Sequence, residues 1–373
     1  MRKIVAILMV LLLSAFFVGS CKKSGGTLIG IAMPETHVLR WVKDGASLQK
    51  EAEGKGYRAE VQYGSADQVE QNKQIQSFLT QGAKVLIVGC INEGVASVIA
   101  EAGRDGVAVI AYDRIISNSA DYDYYITFNN FKVGQLQGQS IVNGLNLTAA
   151  SASAPKYITL FAGSPTDGNA FFFYDGAMSI LNPYIDSGVL KVIGPYPRTS
   201  DDRDTFMRIA TLGWEADRAK QRMENLLNGD ARNVTLNAIL APNDTLARAI
   251  LEACRADAKY PAGRLPITSG QDAEYDSAES IKRGDQYSTV FKDTAMLAQA
   301  AIILADQILN NQPINIPGAV LATGDLARIG DTGMKVVNAY LLDPILVTRD
   351  NLNVMIDAGF YDDRLDRGIL LLN

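Results

Sequence analysis

Strongly polar side chains gather in short clusters, each directly after an apolar run. Arg40 and Trp41 come after Ile31-Ala32-Met33, and Asp113 and Arg114 follow Val109 to Tyr112. Asp167 and Asn169 lie in Gly163-Ser164-Pro165-Thr166-Asp167-Gly168-Asn169, after Tyr157 to Phe161. Asn243 and Asp244 follow Ile239-Leu240-Ala241, Gly270-Gln271-Asp272 follows Ile267 to Ser269, and Phe291-Lys292-Asp293 follows Ser288 to Val290. Carboxylates, guanidinium groups, an ammonium, amides and an indole delivered to one place suit a polyhydroxylated ligand. A carboxylate accepts from two vicinal hydroxyls, and an arginine fork donates to two oxygens. The flat C–H face of a pyranose packs on an aromatic ring, a role open to Trp41 and Trp214. Each group also has an ordinary role: Asp167, Asn243, Asp244 and Asp293 stand where helix N-caps stand. Phe171-Phe172-Phe173-Tyr174 reads as packing.

Other chemistries fit less well. A single histidine, His37, makes a histidine-based metal site or a Ser-His-Asp triad implausible, and no metal or cofactor is expected. Two cleft carboxylates are the equipment of glycoside hydrolysis. Here the candidates stand beside cations, Asp113 with Arg114 and Asp272 with Lys292, which keeps both ionised instead of raising one for acid work. The expectation is a binding protein and not an enzyme.

The elements that must position these residues alternate between two periodicities. Strands are expected at Thr27–Met33, Arg58–Tyr63, Val85–Val88 and Val107–Ala111, with helices at Val38–Glu53, at Asp67–Gln81, where Asp67 and Glu70 are spaced as a capping box, and after Asn92. The pattern restarts with a helix over Gly134–Leu145 and a surface loop over Thr148–Pro155. Strands then fall at Tyr157–Phe161, Val189–Ile193, Asn237–Leu240, Pro266–Ser269 and Tyr287–Val290. Helices fall from Asn169 and at Trp214–Leu227, Thr245–Cys254, Glu274–Arg283 and Thr294–Leu309. Near-continuous apolar strands alternating with amphipathic helices predict parallel sheets covered on both faces. Two such doubly wound units place a ligand beyond the carboxyl ends of their strands, in the cleft between them.

The N-terminus bears on location. Arg2 and Lys3 precede an apolar run, Ile4 to Val18, of about 15 residues, a signal-peptide length short of a bilayer span. Gly19-Ser20-Cys21 then resembles the lipobox of bacterial lipoproteins, in which the cysteine is acylated, and Lys22 to Gly26 reads as a flexible tether. The net charge of −6, which becomes −8 without Arg2 and Lys3, argues against nucleic acid. Cys90 and Cys254 fall in apolar patterns and read as buried free thiols.

Longer blocks carry a family resemblance: RWVKDG (40–45), VIAYDRIISNS (109–119), TFNNFKVGQLQ (127–137), GSPTDGNAFFFYDGAMSILNPYIDSG (163–188), SGQDAE (269–274), QYSTVFKDT (286–294) and YLLDPILVTRDN (340–351). In this order they resemble the class I periplasmic sugar-binding proteins of ABC importers, in the xylose- and multiple-sugar-binding branch. Gly168 departs from SPxDNN-type relatives, and residues 198–211 match the family poorly. The resemblance implies a type I periplasmic binding protein fold: two doubly wound parallel-sheet lobes joined by a three-segment hinge. Residues 1–20 would be a lipoprotein signal and 21–26 the tether. Residues 27–129 and 293–341 would form one lobe, and 130–292 and 342–373 the other. The implied monosaccharide contacts are Arg40, Trp41, Asp113, Arg114, Asn169, Trp214, Asn243, Asp272 and Lys292, with Asp167 and Asp244 as additional contacts. The implied partners are a monosaccharide ligand, the ABC permease subunits, the membrane through the Cys21 lipid and, in a second role, a chemoreceptor or sensor kinase.

Overall fold

A computed structural model describes residues 26–36, 39–261 and 263–361. The signal segment 1–20, Cys21, the tether up to Gly25, His37 and residues 362–373 lie outside the described residues. The first lobe opens as β1 (Leu28–Met33), α1 (Leu39–Gly54), β2 (Arg58–Tyr63), α2 (Gln68–Thr80), β3 (Val85–Val88), α3 (Ala96–Arg104), β4 (Ala108–Tyr112) and β5 (Tyr124–Phe128). The second contains α4 (Asn130–Gly144), β6 (Lys156–Leu160), α5 (Asn169–Asp186), β7 (Leu190–Val192), α6 (Arg203–Met207) and α7 (Ala216–Asn228). It continues through β8 (Ala238–Leu240), α8 (Asp244–Arg255), β9 (Ile267–Thr268), α9 (Tyr275–Arg283) and β10 (Ser288–Phe291). The chain returns to the first lobe with α10 (Thr294–Leu309), β11 (Ala319–Leu321) and β12 (Asn338–Leu342), then ends in β13 (Ile345–Thr348) and α11 (Asn353–Asp357) beside the second.

The first sheet has the order β11-β12-β5-β4-β3-β1-β2 and is parallel except for β11, which runs antiparallel to β12 at the edge. The second has the order β7-β6-β8-β9, all parallel. β10 lies alongside β9, where Tyr287 N donates to Thr268 O and Val290 N to Gly270 O, and it pairs antiparallel with β13. The all-parallel expectation therefore fails at two edges, where β11 runs antiparallel to β12 and β13 antiparallel to β10.

Burial explains why the strands read as continuous apolar runs. Along β1, Ile29, Ile31 and Met33 enter the core under α1 and α10, where Leu48, Leu297, Ile302 and Leu304 meet them. Leu28 and Ala32 point to the opposite core with Ile75, Phe78 and Val98 of α2 and α3. Both faces of the sheet are covered, so both phases of the alternation must be apolar. The second sheet is buried the same way, Ile158 and Leu160 under α4 and α5, and Ile239 under α7 and α8. Cys90 and Cys254 are buried free thiols, and burial pushes each up to about 12. Among the described residues no helix is long and apolar enough to cross a membrane.

Several local expectations shift. β5 was not expected, α4 begins at Asn130 instead of Gly134, and α7 begins at Ala216. Gly213 and Trp214 both adopt left-handed φ (67° and 57°), so the chain turns where a helix was expected to start. Asp67 caps α2 through Val69 N and Glu70 N, while Glu70 pairs with Lys73 at 3.6 Å. The chain passes between the sheets after β5, after β10 and between β12 and β13. These passages lie together: Asn129 N donates to Leu342 O at 2.9 Å, and Lys132 Nζ stands 2.9 Å from Asp343 Oδ1.

α4 and α5 cross at glycines. A Cβ on Gly176 would stand 2.0 Å from Phe131 O, and one on Gly134 1.9 Å from Phe173 O. Gly176→Ala is therefore expected to cost about 1–3 kcal/mol of unfolding free energy by overpacking. Gly54→Ala, which meets nothing within 4 Å at the end of α1, should cost nothing. Urea denaturation reads both, and equal midpoints would contradict this account of the helix crossing.

Candidate functional site

β4 delivers Asp113 at its carboxyl end with a left-handed φ of 62°. A β-carbon resists this conformation, which persists only where the surroundings over-determine it. They do: Asp113 N donates to Ile126 O at 2.9 Å. Its carbonyl accepts from Tyr125 Oη (2.8 Å), Thr127 Oγ1 (3.0 Å) and Asn169 Nδ2 (3.0 Å). The carboxylate accepts a hydrogen bond from the Arg40 guanidinium of α1. Four residues on, Asp44 lies on the same helical face, its Oδ2 3.3 Å from Arg40 Nε and its side chain fully buried. Burial alone would lower Arg40, but Asp113, then Asp44 and Asp272, hold it well above its ordinary value. Burial likewise opposes ionisation of Asp113, yet Arg40, Lys292 and Arg114 bring it below the usual carboxylate range.

The second lobe supplies an acid and a base from neighbouring strand ends. Asp272 (φ 88°) and Ala273 (φ 50°) form another left-handed turn after β9, and Lys292 Nζ follows β10 to sit 2.9 Å from Asp272 Oδ1. Asp244 secures this turn. Its Oδ1 accepts from Gln286 Nε2 (2.8 Å), and its Oδ2 accepts from Thr289 Oγ1 (2.8 Å) and Glu274 N (2.9 Å). The expectation of Asp244 as a ligand contact thus meets a fully buried carboxylate already engaged by three donors of its own lobe. Burial, then Glu274, raises it well above its ordinary value. Asn243 caps α8 through Leu246 N at 3.0 Å, as its N-cap position suggested. Asp293 caps α10 through Ala295 N and Met296 N.

The lobes meet along these residues. Arg114 Nε of the first lobe stands 3.5 Å from Asp167 Oδ2 of the second, and Asn169 reaches across to the Asp113 carbonyl. The ion pairing differs from the sequence expectation. Asp113 takes Arg40 as its hydrogen-bonded partner, while its chain neighbour Arg114 turns to Asp167. Asp167 is raised by burial in spite of Arg114. Trp41 is buried, with the Arg40 and Arg114 guanidinium groups 5.0 and 5.1 Å from its ring centroid. Trp214 lies over Gly163, where a Cβ would come within 2.0 Å of the indole, and packs beside Phe173, Val133 and Val290; its Nε1 is buried with no partner. Phe173 and Tyr174 are core residues, and Phe172 packs into the first lobe near Ile115 and Leu326. Asp113 and Lys292 keep 6% and 5% of their surface, so the described conformation is closed around them.

Three contributors escaped the sequence reading. Asp44 carried a usable signal, its four-residue spacing from Arg40 inside RWVKDG. Tyr125 and Asn130 bond the Asn169 side-chain oxygen at 3.3 and 2.7 Å; Tyr125 stood on the unrecognised β5, and Asn130 stood in TFNNFKVGQLQ with no role assigned to it. A groove of about 640 Å³ on the outside of the second lobe, between α8 and α9, is lined by Thr245, Arg248, Arg255, Tyr275 and Arg283 among others and by none of the cleft residues. Its arginines are already paired, Arg248 with Glu274 and Arg255 with Asp285. Among the described residues no cluster of three or more His, Cys, Asp or Glu could hold a metal ion.

Comparison with known proteins places this geometry. The periplasmic binding protein domain family matches residues 29–313. The chain is 39% identical over 350 residues to the multiple sugar-binding periplasmic receptor ChvE of Rhizobium radiobacter, covering 93% of this chain and 94% of that protein. It is 33% identical to the D-xylose-binding periplasmic protein of Escherichia coli, over 97% of this chain and 99% of that one. Among solved structures it is similar to an ABC transporter solute binding protein from Clostridium phytofermentans with bound β-D-glucose. That likeness has a TM-score of 0.79 and 34% identity, and covers 91% of this chain and 99% of that one. A carbohydrate transporter solute binding protein from Chloroflexus aurantiacus in complex with D-glucose gives a TM-score of 0.78 and 30% identity, over 90% and 97% of the two chains. A two-lobed fold whose strand ends meet in a seam of paired charges, with these likenesses over nearly the whole chain, makes this chain a member of the periplasmic binding protein family and a binding protein, not an enzyme.

Proposed function

We propose that this chain is the extracytoplasmic receptor of an ABC importer, binding a monosaccharide pyranose between its lobes and presenting the closed, loaded form to the permease. The observation that carries the reading is the seam itself. Asp113, Asp272, Arg40, Arg114 and Lys292 reach it from both lobes, in a chain similar over its length to glucose-bound transporter proteins. Sugar hydroxyls exchange hydrogen bonds with such pairs in both directions, and charge-assisted bonds in a closed cleft outweigh the same bonds in water. The direct contacts we assign are Arg40, Trp41, Asp113, Arg114, Asp167, Asn169, Trp214, Asn243, Asp272 and Lys292. Asp244 acts through the Asp272 turn. The buried, unpartnered Nε1 of Trp214 is one donor for a sugar oxygen. A ligand that touches both lobes only when they meet favours closure by its differential affinity for the closed form.

The anchor belongs to the same proposal. Acylated Cys21 would keep the receptor at the membrane, within reach of its permease. Cys21→Ser is expected to move the protein from the detergent-extracted membrane fraction to the soluble envelope fraction. Retention of the variant in the membrane would contradict lipidation.

Calorimetric titration tests the ligand class. The chain from Lys23 onward, unfolded and refolded to remove co-purified sugar, should bind at least one of glucose, galactose, xylose or arabinose at micromolar concentration or tighter, without turnover. Asp272→Ala should weaken that binding about 10- to 150-fold, the equivalent of the 1.5–3 kcal/mol typical of a hydrogen bond to a charged group. Silence across the pyranoses overturns the ligand class, and an unchanged dissociation constant in the variant removes Asp272 from the site.

A further inference from the structure

We propose that Asp44 is a positioning residue for the sugar site: it holds the Arg40 guanidinium in register with Asp113 without touching the ligand, so that acid weakens sugar binding through it. This rests on the sugar-receptor reading above. Arg40 faces two carboxylates at once, Asp113 through its terminal nitrogen and Asp44 through Nε at 3.3 Å. The Asp44 contact is an ion pair without hydrogen-bond geometry, so Asp44 acts as a second buried negative charge that holds the guanidinium between itself and Asp113. Asp44 is 0% exposed, lies beneath Arg40 on α1, and belongs to no other ion pair among the described residues.

The groups facing Asp44 set the sign of the effect. Arg40 and Lys43 come from its own helix, Tyr63 from β2, Tyr112 from β4, Asp113 from the end of β4, Lys292 from the crossover and Thr294 from the first turn of α10. Burial, the largest influence, pushes Asp44 up to about 6, against the pull of Arg40 and, less strongly, of Thr294 and Lys292. Tyr63 and Tyr112 are raised by burial, further from neutrality, and do not titrate there. Arg40, Tyr63, Tyr112 and Thr294 all belong to the first lobe, so most of the burial persists when the lobes part. Closure adds the Lys292 ammonium, which favours the carboxylate. Ligand-driven closure therefore releases the Asp44 proton, and affinity present above the open-form value is lost as the pH falls from that value toward the closed-form value of about 6. The fold responds with the opposite sign. A carboxyl whose folded value lies above its unfolded one adds stability on protonation, so the lost affinity is not unfolding.

The test is calorimetric titration of the refolded chain with D-glucose, or whichever pyranose it binds, from pH 7.5 to 5.0. The wild-type dissociation constant should rise severalfold as the pH falls from 7.5 toward 6 and level off below it, as a group with a closed-form value near 6 and a higher open-form value requires. Asp44→Asn, an isosteric change, should bind more weakly at pH 7.5, near the wild-type value at pH 5.0, and should vary little with pH. Saturable wild-type binding with a flat profile overturns the role of Asp44 and leaves the receptor reading intact. A slope kept in Asp44→Asn also overturns it and assigns the proton to another group such as Asp167. No sugar binding at any pH overturns both readings. Should Asp44→Asn fail to fold, Asp167→Asn decides: a slope that persists without Asp167 stays with Asp44, and one lost with Asp167 overturns the role of Asp44.

Discussion

Seven charged side chains, Arg40, Asp44, Asp113, Arg114, Asp167, Asp272 and Lys292, leave bulk water where the two lobes meet, and the structure is arranged around that cost. Burying an ion costs several kcal/mol unless another charge and well-placed hydrogen bonds compensate it. Each of these groups has an opposite charge within 3.5 Å or less. Arg40 has two. Pairing of this kind does not make the fold especially stable, because an apolar substitute often does as well. It does leave donors and acceptors side by side in a dry seam, which is what a polyhydroxylated ligand can use and an apolar one cannot.

Within each lobe the charged groups are held rigidly, and between lobes they are held lightly. Asp113 and Asp272 occupy left-handed turns that cost of order 1–3 kcal/mol each, offset by backbone bonds to β5 and to β10. The Asp272 turn is tied further by Asp244 and by Tyr361, whose hydroxyl donates to Ala273 O. Across the seam stand one ion pair at 3.5 Å, the Asn169 bonds to Asp113 O and Tyr125 Oη, Lys43 of α1 at 4.7 Å from the Phe360 ring, Arg328 at 5.1 and 5.4 Å from the Phe131 and Phe172 rings, and Phe172 itself packed into the first lobe. The turns at Asp113 and Asp272 are tied chiefly within their own lobes, so the lobes can separate without undoing them. Rigid halves and a separable seam suit a ligand-driven hinge whose three strands of passage lie together.

Much of this was legible in the sequence, and the limits have physical causes. Polar clusters after apolar runs marked the strand ends because buried parallel strands must be apolar in both phases, so the first polar residues are those leaving the sheet. The same logic passed over β5, β11, β12 and β13. Tyr124–Phe128 is interrupted by Thr127, and Ala319–Leu321 is half-exposed at an edge, so neither reads as a buried run. Partnerships were harder still. Asp113 and Arg114 are adjacent in the chain, yet the left-handed turn at Asp113 sends them to different partners, Arg40 and Asp167. Asp244 shows the converse: a carboxylate at a strand end can serve the loop beside it, a distinction that depends on Gln286 and Thr289, more than forty residues away.

The central claim is that the seam of paired charges is the ligand site. A crystal structure of the refolded chain grown with D-glucose, or with the pyranose that titrates best, tests it most directly. The account predicts one sugar between the lobes, its hydroxyls within hydrogen-bond distance of Asp113, Asp272, Arg40 and Lys292 and its ring against an indole. A sugar lodged in the outer groove beside Arg248 and Tyr275, with Asp113 and Asp272 still bound only to their protein partners, would contradict it.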